Sequence, residues 1–148
     1  MAQTFQPSIN FVNMVHGSEG CRLTAYRDSG DVLTIGWGHT GKDVYEGQVI
    51  TLDQANQLFI SDCSVDINWL NMTGLCKNQN EFDACMDLLY NIGIGHFKND
   101  ENLMNALKNQ NASDIKDAFM RHVIDGATGL KLAGLVTRRE SELKLFFT

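Results

Sequence analysis

Glu19, Asp28 and Thr34 are the residues in this sequence whose types and separations suit a single reaction. Cutting a glycosidic bond needs one carboxylic acid that keeps its proton, to hand to the leaving oxygen, and a carboxylate on the opposite face of the sugar. Eight residues separate Glu19 from Asp28 and five separate Asp28 from Thr34, so the three fall on a helix end, a turn and a strand. Glu19, at the C-terminal tip of a helix, meets the negative end of the helix dipole and some burial, and both favour the neutral acid. Asp28 lies in a polar turn beside Ser29 and backbone N–H groups, which suits the charged form and lets it orient a water. Thr34 adds a hydroxyl able to hold that water. From residue types alone, the same three also read as two surface charges and a strand threonine.

The elements that must position them are legible in the periodicity. Ser8 caps a helix whose apolar residues Ile9, Val12, Met14 and Val15 share a face, and Gly17 or Gly20 ends it. From Leu23 to Trp37 the pattern becomes a hairpin that turns at Asp28-Ser29-Gly30-Asp31, and Val44–Ile50 is expected to add a short third strand. Thr51 and Gln54 form a capping box. The helix it opens places Leu52, Ala55, Phe59, Cys63, Ile67 and Leu70 at spacings of three and four. At about 20 residues it would be a rod of roughly 30 Å, long enough to join two lobes. Further helices are predicted over 78–91, 101–108, 113–123 and 135–146.

Composition excludes several function classes. A formal net charge of -6 and a pI near 5.0 argue against nonspecific nucleic-acid binding. No apolar run approaches a membrane span and no basic, apolar leader opens the chain, which predicts no membrane insertion and no export signal. Cys21, Cys63, Cys76 and Cys85 lack both a Cys-x-x-Cys pair and a histidine at metal-finger spacing, so free thiols are expected over disulfides or a metal site.

The Glu-x8-Asp-x5-Thr spacing resembles the catalytic signature of the phage-lysozyme family, glycoside hydrolase family 24. Glu19-Gly20-Cys21-Arg22-Leu23-Thr24-Ala25-Tyr26-Arg27-Asp28 and Thr34-Ile35-Gly36-Trp37-Gly38-His39-Thr40 are similar to its two front blocks. Tyr90-Asn91-Ile92-Gly93 and Gly134-Leu135-Val136-Thr137-Arg138-Arg139, with Glu142, are similar to its later ones. The resemblance implies an α+β, mostly helical lysozyme-like fold. Its small sheet lobe would span about 15–50 and its helical lobe 1–14 and 75–148, with a connecting helix over 51–71. It also implies an endolysin that hydrolyses the β-1,4 bond from N-acetylmuramic acid to N-acetylglucosamine in peptidoglycan. The expected reaction inverts the anomeric carbon, with carboxyl groups about 6.5 to 9.5 Å apart and no cofactor or metal. Such a protein would act as a monomer, held in the host cytoplasm until a separate holin opens the way to the wall.

By the same resemblance Thr40 and Tyr90 line the sugar and Arg139 faces the cleft as a further substrate contact; His39 reads either as a substrate contact or as a structural histidine paired with an acidic side chain, for which Asp62 is the candidate. The chain departs from the family after Phe97, where a Ser-Thr-Leu segment is replaced, near His122, where a tryptophan is common, and in its acidic charge. A catalytically inactive lysozyme-fold module that binds glycan or protein is the alternative reading.

Overall fold

The computed structural model describes residues 3–18 and 20–148. The chain divides into two compact units, one of Val15–Val65 and one of the residues up to Met14 together with Asp66–Thr148. Helix α1, Ile9–Ser18, contributes to both. Ser8 caps it as expected: its Oγ accepts the Asn10 N–H at 3.2 Å, and its own N–H and hydroxyl donate to buried Asp83.

The first unit holds a three-stranded antiparallel sheet, β1 Arg22–Arg27, β2 Leu33–Gly36 and β3 His39–Thr40, in that order. The third strand is not the expected 44–50 segment. The chain turns back after only Trp37 and Gly38, where Gly38 has φ 91°, and Thr34 pairs with Thr40. Residues 48–50 instead run beside β1, where the Ala25 N–H donates to Gln48 and the Ile50 N–H to Leu23, with Thr24 and Val49 forming a lone bridge.

Helix α2, Leu52–Asp62, packs on this sheet and starts at the predicted capping box, with the Gln54 N–H on Thr51 Oγ and the Thr51 N–H on Gln54 Oε1. Ala55 fits directly over Gly36: a Cβ there would meet the Ala55 Cβ at 3.3 Å, and the φ of 65° excludes most side chains as well. Ile35, Ala55, Phe59 and Cys63 form the core, and His16 stacks on Trp37 with ring centroids 3.5 Å apart.

The single rod expected over 51–71 is two helices, because α2 ends at Cys63 and α3 spans Ser64–Thr73. The Cys63 N–H is shared between the Phe59 and Ile60 carbonyls at 3.2 Å each, the tightened bonding of a helix end. Ser61, Asp62, Cys63, Ser64 and Val65 are all modest helix formers, yet the apolar stripe runs through Phe59, Cys63 and Ile67 without a lapse. Periodicity therefore conceals the break.

The second unit is built around α4, Gln79–Ile92, capped by Asn78 on the Glu81 N–H. Every residue from Glu81 to Leu89 is buried, so the helix is enclosed on all sides rather than amphipathic. Helix α5, Ile94–Asn99, was not foreseen; it begins at Gly93, whose φ of 87° ends α4 and redirects the chain. Helices α6, Glu101–Asn109, α7, Ala112–Met120, and α8, Ala133–Phe146, complete the unit, and α8 packs along α4. All four cysteines are free.

Candidate functional site

The hairpin turn between β1 and β2 is organised by the main chain of one residue, Val32. Its N–H donates to Asp28 Oδ1 at 2.9 Å, and its carbonyl accepts the Asp28 N–H at 3.0 Å and the Thr34 hydroxyl at 2.9 Å. Asp28 Oδ1 also accepts the Gly30 N–H at 2.8 Å, and Asp31 takes a left-handed φ of 63° to close the turn. Asp28 is thus fixed through one oxygen while the exposed carboxylate keeps Oδ2 unbonded among the described residues. Thr34 is only 3% exposed and spends its hydroxyl proton on Val32, so toward a water it can only accept. The structure therefore brings Asp28 and Thr34 together through Val32. Glu19 lies outside the described residues.

Exposed Thr40 sits beside Thr34 in the ladder, and its neighbour His39 anchors that strand. His39 Nδ1 lies 2.8 Å from Asp62, the expected partner, and Nε2 lies 2.9 Å from Asp43, a second carboxylate that the spacing did not disclose. Burial alone would lower the imidazole, but hydrogen bonds and charge from Asp62 and Asp43 outweigh it and hold His39 above its usual value. The His39 hydrogen bond in turn holds Asp43 below the usual carboxylate range. A raised histidine stabilises the fold fully below about pH 6.5 and ceases to do so as pH climbs through its folded value. The Asp43 contribution has the opposite sense and fades as pH falls through its depressed value. Thermal melting of this unit should therefore peak in mildly acidic buffer and decline toward pH 8. His39→Gln should flatten that decline in a calorimetric pH series, and an unchanged slope would exclude the clamp as its source.

In the helical unit, half-buried Tyr90 lies on the last turn of α4. Arg139 corrects the sequence expectation. It is fully buried rather than presented as a substrate contact, with Nη2 donating to Asn91 Oδ1 at 2.8 Å and Glu142 Oε1 at 2.9 Å, and Nη1 to the His122 carbonyl at 3.1 Å. Its Nε is 2.8 Å from Glu142 Oε2, a charge contact without hydrogen-bond alignment. Arg138 grips fully buried Asp87 with two bonds of 2.9 Å. Burial, then hydrogen bonding with Asp87, pushes the Glu142 carboxyl well above its usual value, and burial lowers Arg139. No sequence signal marked this network, because a pair of arginines on a helix reads first as exposed.

Arg139 reaches the surface through Asn91, which lines a groove of about 340 Å³ with Ile92, His122, Ile124, Leu132 and Leu135. His122 Nε2 lies 2.8 Å from Asp100, which caps α6 through the Leu103 N–H. Burial alone would raise Asp100, but that N–H and the His122 ring hold it below the usual range. Sequence reasoning noted Asn91 and His122 without assigning them a site, since neither stands out until Arg139 and Asp100 fix their orientation. Among the described residues no group of three or more His, Cys, Asp or Glu could hold a metal ion, and no helix is long and apolar enough to cross a membrane.

The family model described as phage lysozyme matches residues 16–142. The chain belongs to the phage lysozyme family. Among its relatives, the endolysin of Salmonella phage P22 is 32% identical over 152 residues, covering 97% of this chain and 99% of that one. The endolysin of Bacillus phage B103 is 32% identical over 140 residues, covering 93% of this chain, but the chain spans only 52% of that relative's length. The crystal structure of the P22 lysozyme mutant L86M has a TM-score of 0.80 at 32% identity, covering 98% of this chain and all of that one. The small sheet and many helices of this phage lysozyme family member are accordingly the α+β lysozyme-like fold its motifs led us to expect.

Proposed function

We propose that the chain is a peptidoglycan-cutting muramidase, an endolysin that hydrolyses the β-1,4 bond from N-acetylmuramic acid to N-acetylglucosamine with inversion. The observation that carries this reading is the turn around Val32, which ties Asp28 by one oxygen, exposes the other, and leaves Thr34 as an acceptor. A water held there gives one hydrogen to Asp28 Oδ2 and the other to Thr34 Oγ, so its lone pair faces the anomeric carbon. As the water oxygen bonds to that carbon, the glycosidic C–O bond breaks. Asp28 takes the water's proton, and the leaving oxygen takes one from Glu19, assigned as the acid on its place in the Glu-x8-Asp-x5-Thr spacing. The family resemblance assigns Thr40 and Tyr90 to the sugar; within the helical unit, Arg139 steadies Asn91 at the groove it lines.

In this reading the protein acts as a monomer, waits in the host cytoplasm, and depends on a separate holin for access to the wall. Its membership of the phage lysozyme family and its similarity to the P22 endolysin support the assignment. Incubation with isolated sacculi should release reducing ends, and NMR of the first product should show the α-anomer. A first product in the β-anomer would refute inversion. Adsorption to sacculi with no new reducing ends would mark a non-catalytic glycan-binding module instead.

A further inference from the structure

One buried guanidinium fixes two groove residues of the helical unit relative to each other. Fully buried Arg139 donates from Nη2 to Asn91 Oδ1 at 2.8 Å and from Nη1 to the His122 carbonyl at 3.1 Å. Asn91 stands on the last turn of α4 and His122 follows the end of α7, so a single rigid fork joins two elements at this point. Both residues line the groove of about 340 Å³.

The chemistry of their partners decides which atom each residue keeps in reserve. Arg139 has only donors, so Asn91 must give it the carboxamide oxygen, and the NH₂ is left over. Asp100 takes the Leu103 N–H on Oδ1 at 3.0 Å, and its Oδ2 lies 2.8 Å from His122 Nε2. A carboxylate has only acceptors, so the ring hydrogen belongs on Nε2 and the neutral imidazole keeps Nδ1 as a bare acceptor. Neither Asn91 Nδ2 nor His122 Nδ1 has a partner among the described residues. Around this donor and this acceptor the lining is aliphatic, with Ile92, Ile124, Leu132 and Leu135. Asp125 is engaged in its own loop, taking the Ala127 N–H at 3.0 Å and the Thr128 hydroxyl at 2.9 Å.

A secondary amide that carries a methyl group matches this set. Its carbonyl and N–H point in opposite directions across the planar trans unit, so a donor and an acceptor on two elements can take one each. Its methyl suits the aliphatic side chains. A plain hydroxyl would leave those side chains facing water, and a carboxylate would meet the His122 lone pair with its own. We infer that Asn91 and His122 read the N-acetyl group of the sugar substrate, with Asn91 Nδ2 donating to the acetamide carbonyl and His122 Nδ1 accepting the acetamide N–H. The inference rests on the muramidase reading for the sugar and on the groove alone for the amide. It makes the two residues determinants of specificity: a glycan stripped of its acetyl groups loses the methyl and the carbonyl together.

The test is a two-dimensional NMR titration of the full chain with tri-N-acetylchitotriose. Cellotriose, with a hydroxyl in place of each acetamide, and N-acetyl-L-alanine methylamide, with methyl-bearing amides but no sugar, serve as comparisons. Saturable shifts should cluster at Asn91, Ile92, His122 and Ile124, the nitrogen signal of His122 Nδ1 should move with them, and cellotriose should bind at least about tenfold more weakly. Asn91→Asp keeps an oxygen for Arg139 and exchanges the NH₂ for a second acceptor. It should weaken the acetylated trisaccharide about tenfold while leaving cellotriose and the melting temperature unchanged. No response at millimolar trisaccharide, equal affinity for cellotriose, tighter binding of the alanine amide, or native affinity in Asn91→Asp would each overturn the inference. Binding is read without turnover, so the two readings separate. A chain that discriminates the acetamide but cuts no sacculi sinks the muramidase assignment alone, and one that cuts sacculi without that discrimination sinks this one alone.

Discussion

Glu19→Gln and Asp28→Asn should each slow the release of reducing ends from sacculi by about 10²- to 10⁴-fold, the range for losing one acid–base group. For Asp28→Asn the geometry separates chemistry from folding. Asn retains an oxygen that can accept the Gly30 and Val32 N–H groups, so the turn should stay closed and the melting temperature should hold. What disappears is the second carboxylate oxygen, the one offered to the water. Asp28→Ala would remove the turn's acceptor as well and should cost both stability and rate. A colorimetric reducing-end assay beside a melting curve distinguishes these outcomes. An Asn variant that cuts at the wild-type rate would end the base assignment, and a Gln variant at Glu19 that did so would end that of the acid.

The largest effect on stability is expected from Arg139→Met. The substitution strips the donor from Asn91, leaves the His122 carbonyl without its partner, and deprives buried Glu142 of its compensating cation. Breaking a buried pair from one side typically costs about 3–5 kcal/mol. For a chain of this size that corresponds to a fall of roughly 10 °C in melting temperature. The loss should also depend on pH, with a sign fixed by Glu142. Its folded value is raised, so ionisation opposes folding once pH exceeds the ordinary carboxylate value, and Arg139 counters that opposition. The variant should therefore lose more at pH 7 than at pH 4, where Glu142 is neutral in both states and the missing cation matters less. A uniform loss across that range, seen in denaturant or thermal melts, would mean that packing rather than charge accounts for the cost.

Local rules made much of the fold readable in advance. The Thr51–Gln54 box, the Asn78 start of α4 and the turn at Asp28 each depend on contacts within four residues, and each stands where its chemistry required. The break at Cys63 was hidden because burial and helix continuity are separate properties, and the apolar stripe reports only the first. Helix α5 is a six-residue piece set by the left-handed φ of Gly93, too short to show a period. In the site, the Asp28–Thr34 pairing was accessible because one hairpin holds both residues. The inward turn of Arg139 was not, since it depends on Asn91 and His122, which are 48 and 17 residues away in the chain. Asp43 was overlooked as a partner of His39 for a related reason: four residues apart implies contact on a helix, whereas here a loop brings the two together.

Val32 has a bearing on which substitutions the Asp28 turn can accept. Val32 is 46% exposed, and the hydrogen bonds the turn asks of it pass through its amide and carbonyl. The position is thus nearly blind to side-chain identity, open to almost any amino acid and closed chiefly to proline, which has no hydrogen on nitrogen to give. A substitution at Val32 that keeps the N–H should therefore leave the Asp28 turn closed, whereas Val32→Pro should open it.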